Sequence, residues 1–63
     1  MTYIITTADK LGCAKRELKM RRSVYERWTA AGKMTAARSA HEIACMEAIV
    51  VDYQAAAQKD RLV

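Results

Sequence analysis

The sequence predicts an all-α fold: an antiparallel helical hairpin with a short extended N-terminal arm, assembled as a homodimer in a four-helix arrangement. Three observations carry this. The 63-residue chain has no Pro, only two Gly, and Ala as its commonest residue, and Ala, Leu, Met, Lys, Arg and Glu are the better helix formers. Its apolar residues recur at helical spacing over two long segments. Gly32 falls between those segments, where a helix can end on a left-handed residue.

The size calls for a partner. A domain of this length buries only about 60% of its unfolded surface, and chains below roughly 70–80 residues usually need a staple or an oligomer. The two cysteines are too few for a disulfide framework, and no charged start followed by a long apolar run marks a secretory signal. A single domain, 1–63, in a reducing cytoplasm is the expectation. No apolar run approaches the ~20 residues of a membrane span, so no membrane partner is expected.

The arm is assigned to residues 1–6, because Tyr3, Ile4, Ile5, Thr6 and Thr7 are aromatic or β-branched and suit extended backbone. Helix 1 is predicted over about 7–31. Thr6 or Thr7 can cap its first N–H groups, and Asp9 suits the positive end of the helix dipole. Leu11, Ala14, Leu18, Tyr25 and Trp28 form its apolar stripe. Glu17 lies four residues before Arg21, the spacing of a stabilising pair. Residues 32–34 make the turn, and Thr35 reads as the next N-cap. A connection this short makes the helices antiparallel.

Helix 2 is predicted over about 35–60 and has two usable faces. Ala37, Ala40, Ala44, Ala48, Val51 and Ala55 form a small one; Ile43, Met46, Ile49, Val50 and Tyr53 form a bulky one. One partner helix cannot cover both. The bulky face is therefore assigned to the dimer interface, through Ile43, Met46, Val50 and Tyr53.

Charge is uneven along the chain. Residues 1–35 carry net +5 and residues 36–63 net −1, so the first half presents a positive field to a partner. Lys15, Arg16, Lys19 and Arg22 are predicted as an exposed basic strip on helix 1, away from its apolar stripe. Arg27, Trp28, Lys33 and Met34 cluster at the turn. Trp and Arg are enriched at binding hot spots, although aromatics on an apolar stripe more often belong to the core, and Trp28 is expected to be mostly core with an exposed edge. These eight residues are the candidate partner-binding set. The alternative is a basic nucleic-acid-binding accessory protein; Glu17 and Glu26 interrupt the strip, and no short helix-turn-helix with a recognition helix follows it.

Chemical sites are sparse. His41 and Cys45 share one helix face, but zinc wants about four ligands, and the antiparallel register separates Cys45 from Cys13. Neither a metal nor a cofactor is assigned. One His, no nucleophile with a positioned base and no Gly-rich phosphate loop argue against an enzyme.

Val24, Tyr25, Arg27, Trp28, Gly32, Lys33, Met34 and Thr35, continued by Glu42, Ile43, Met46, Ala48, Ile49, Asp52 and Tyr53, carry a resemblance. This pattern, over about half of the chain, is similar to that of a family of small bacteriophage and prophage proteins that includes the Pseudomonas phage anti-activator of quorum sensing. The resemblance implies a small helical dimer, made early in infection, that binds host proteins and blocks them in the bacterial cytoplasm. The implied targets are a LuxR-type quorum-sensing transcriptional regulator, bound at its DNA-binding domain, and the ATPase that drives type IV pilus assembly. Family members often have Pro where this chain has Glu26, so helix 1 should run straighter here.

Overall fold

The computed structural model describes residues 3–61. Residues 1 and 2 of the predicted arm lie outside that range. Two helices, α1 (Thr7–Ala30) and α2 (Ala36–Arg61), pack antiparallel as a hairpin, with no strand among the described residues. The arm, Tyr3 to Thr6, is non-helical and exposed.

Each helix end has a local chemical cause. Thr6 adopts extended backbone and caps α1. The Asp9 N–H donates to Thr6 Oγ1 at 3.1 Å, and the Thr6 N–H donates to Asp9 Oδ2 at 3.0 Å. This reciprocal capping box satisfies two otherwise orphaned donors. It lets α1 start ahead of Gly12, which on its own weakens the first turns. α1 continues without a break through Glu26.

The turn is a Schellman motif. The Lys33 N–H donates to the Trp28 carbonyl at 2.9 Å, and the Gly32 N–H to the Thr29 carbonyl at 3.1 Å. Gly32 has φ of 75°, the left-handed region where a Cβ is penalised. Three residues after Gly32, Thr35 Oγ1 accepts from the Arg38 N–H at 3.1 Å and opens α2. Lys59 and Arg61 lie in its last turn, where positive charge complements the helix dipole.

The seam between the helices is narrow. Ala14, Leu18 and Met46 are its buried residues, and Ile43, Val50 and Tyr53 pack against them. Ala14 is small enough for α2 to come close, and Leu18 and Met46 fill the contact. Arg21 adds a polar clip: its Nε donates to Glu17 Oε1 at 3.0 Å and its Nη1 to the Glu42 carbonyl of α2 at 3.1 Å. The hydrogen bond to Glu17 raises the pKa of Arg21 above its ordinary value.

Here the faces of α2 are reversed from expectation. Ile43, Met46, Val50 and Tyr53 were assigned to a dimer interface; they belong to the hairpin's own seam, and Met46 is only 7% exposed. The small face, Ala37, Ala40, Ala44, Ala48, Val51 and Ala55, is the exposed one. The physical reason is area: the bulky side chains bury far more apolar surface against α1 than alanines would.

Leu18→Ala is expected to destabilise the protein by about 3 kcal/mol, the usual cost of a cavity in a seam that cannot collapse; urea denaturation measures it. The cap makes a pH prediction. Hydrogen bonds from Thr6, the backbone N–H first, lower the pKa of Asp9 below its ordinary 3.8. A depressed carboxylate stabilises fully above its unfolded pKa, and that contribution disappears as pH falls through the folded one. Helicity of the first turn should therefore fall as pH drops below 3.8, and Asp9→Ala should abolish that transition. The Thr6 and Asp9 amide shifts report it by NMR.

Candidate functional site

At the turn, Tyr25 and Trp28 stack with ring centroids 5.7 Å apart and planes inclined by 26°. Residues three apart on a helix are neighbours, and offset stacking suits two aromatic quadrupoles. Tyr25 is half-buried against the seam, whereas Trp28 is 46% exposed. The expectation of a mostly buried Trp28 thus gives way to a half-exposed ring. The reason is position: it lies in the last turn of α1, where α2 has only just begun and offers little to cover it. Arg27 and Lys33 are exposed beside it and Met34 is half-buried. The Schellman bonds run from Gly32 and Lys33 to the carbonyls of Thr29 and Trp28, so backbone geometry holds this end in one shape.

The basic strip is only partly as expected. Lys15, Arg16 and Lys19 are exposed. Arg16 Nη2 donates to Cys13 Sγ at 3.2 Å. Arg22 turns toward α2, where its Nη2 lies 3.0 Å from Glu47 Oε2. It therefore closes one rim of the hairpin rather than standing in a free strip. Spacing along one helix places Arg22 beside Lys15 and Lys19, but it does not reveal an acid on the neighbouring helix. Arg21 and Arg38 are likewise paired, with Glu17 and Glu42. Among the described residues Lys15, Arg16, Lys19, Arg27 and Lys33 make no ion pair. These five belong to the candidate set; Lys10, Lys59 and Arg61 are exposed and outside these ion pairs as well.

The two broad sides of the hairpin differ. One carries a polar depression bordered by Lys15, Gln54, Gln58 and Arg61. The other carries an apolar groove lined by Ile5, Cys13, Ala14, Met46, Ile49 and Tyr53, with Asp9, Lys10 and Glu17 along its α1 edge. Ile5, Met20 and Ile49 are exposed large apolar residues; Ile49 belongs to the bulky face of helix 2, while sequence patterning did not single out Ile5 and Met20 as a site. Their signal was weak, because their common side emerges only once α1 and α2 are in register.

His41 and Cys45 lie together on α2, with Nε2 and Sγ 3.5 Å apart. Both cysteines are free. No group of three or more His, Cys, Asp or Glu side chains that could hold a metal occurs among the described residues. No described helix is long and apolar enough to cross a membrane.

No family model, curated protein or solved structure matches the chain.

The aromatic pair makes a stability prediction. Trp28→Ala should cost about 1 kcal/mol, the worth of the stack, and not the roughly 3–5 kcal/mol of a fully buried Trp. Denaturant unfolding followed by circular dichroism separates the two values.

Proposed function

We propose that the chain is a non-enzymatic phage protein, a homodimer that binds host proteins in the bacterial cytoplasm and inhibits them. One observation carries the binding reading. A stacked Tyr25–Trp28 pair stands at the turn with Trp28 half exposed and unpaired Arg27 and Lys33 beside it. The fold needs little of this arrangement, and it has the aromatic-plus-arginine composition of a hot spot. Lys15, Arg16 and Lys19 extend the positive charge along α1, where exposed charges add little to stability but steer association with an acidic surface.

The pattern running from Val24 to Tyr53 supports a LuxR-type quorum-sensing regulator, bound at its DNA-binding domain, as the first target. The type IV pilus assembly ATPase is the second. Pairing of Arg21, Arg22 and Arg38 with acids of the same chain reduces the charge available to phosphates and counts against the nucleic-acid alternative.

Lys19→Glu combined with Arg27→Glu tests this. Melting should barely change, while association with the purified DNA-binding domain of such a regulator should slow, most at low salt, and converge with wild type as salt rises. Association rates across a salt series measure it. Equal rates at low salt would remove the basic residues from the interface. Tight binding to random duplex DNA, lost steeply with salt, would favour the nucleic-acid reading instead.

A further inference from the structure

The hairpin is one layer of helices, and domains need two packed layers to enclose a core. Its Cα extents are 47 × 28 × 12 Å. A compact protein of this length has a radius of gyration of about 11 Å; this one has 14.6 Å. A folded chain of 7.1 kDa ordinarily exposes about 4,100 Å², and this one exposes 5201 Å². The excess exceeds the ~800 Å² that each partner contributes to a standard interface.

The large apolar side chains among this exposed surface are concentrated on one side, while the other has a depression lined mainly by small residues, Ala30, Ala36 and Ala40, together with Ile43. On the first side Ile5 and Ile49 line the groove with Cys13 and Tyr53. Met20 follows Cys13 by seven residues, two helical turns, and so lies on the same side of α1. Tyr3 and Ile4 precede Ile5, and Ile4 is 88% exposed. The opposite side sets Lys15, Gln54, Gln58, Arg61 and the Arg22–Glu47 pair among its smaller apolar residues, and water satisfies those polar groups without a partner. The groove edge carries both signs, Asp9 and Glu17 with Lys10. A surface that meets its own copy across a two-fold axis must complement itself, and a mixed edge does so where a single-sign edge would repel.

We infer that a second copy of this chain packs on the groove of Ile5, Cys13, Ala14, Met46, Ile49 and Tyr53, making the second layer of the core. This rests on the homodimer in the proposed function and shifts its expected interface: Met46 and Tyr53 stay in it, while Ile5, Cys13, Ala14 and Ile49 replace Ile43 and Val50. The groove is centred away from the turn: Cys13 and Trp28 are fifteen residues apart, about 22 Å along α1.

Sedimentation of the isolated protein, with no host target present, tests it. Wild type should be a dimer at micromolar concentration with a melting temperature that rises with concentration. Ile49→Glu should raise the dimer dissociation constant by roughly 30-fold or more, the effect of losing an interface anchor. Val51→Glu, on the outer face of α2, should change it less than about threefold, as for a residue outside the interface. A second measurement avoids the buried charge. In Cys45→Ser, the Cys13 thiol should react slowly with a thiol reagent above the dissociation constant and quickly below it. A monomeric wild type would overturn the homodimer itself. A dimeric wild type that Ile49→Glu leaves intact, or Cys13 reactivity independent of concentration, would overturn this face alone.

Discussion

Everything in this molecule depends on how little a two-helix seam can bury. Among the described residues only Ala14, Leu18 and Met46 are buried, and the other apolar side chains are half-buried or exposed. Folding must still overcome the conformational entropy of ordering two long helices, about 1–2 kcal/mol per residue of backbone. So thin a core makes the local devices matter more than they would in a larger protein. The capping box at Thr6 and Asp9, the Schellman bonds at Gly32 and Lys33, and the Arg21 clip to the Glu42 carbonyl each satisfy backbone groups that a thicker core would have shielded.

The features legible in the sequence were those whose causes are local. Thr6, Gly32 and Thr35 stand where helix ends require them, and Glu17–Arg21 pairs at the spacing the sequence displays. The choice between the two faces of α2 was not legible, because both are apolar enough to pack. One partner helix cannot cover both faces, and periodicity does not say which one it takes; α1 takes Ile43, Met46, Val50 and Tyr53, with Ala14 in the same cluster. That match is made between helices. Arg22 failed for the same reason, since its partner Glu47 lies twenty-five residues away. Trp28 failed differently: the stripe correctly places it on the inward-leaning side, but a stripe has no knowledge of where the neighbouring helix runs out.

Lys15, Arg16 and Lys19 lie on the outer side of α1 and Arg27 and Lys33 around the turn, while the apolar groove on one broad side has a mixed-charge edge of Asp9, Lys10 and Glu17. A surface meant for a permanent partner wants area and low charge at its centre, while one that meets a partner by diffusion wants field and a few large anchors. Both kinds fit on so small a chain because the hairpin is long for its mass.

The turn is held by its own backbone: Lys33 and Gly32 bond to the carbonyls of Trp28 and Thr29, and Gly32 supplies the left-handed φ of 75° that any other residue would strain to adopt. Side chains at this tip therefore do not define its shape. Arg27, Trp28, Lys33 and Met34 can drift in identity while the tip keeps its form and the seam keeps its packing. A lineage of such proteins could exchange one target for another through a handful of surface replacements, without ever passing through a misfolded ancestor.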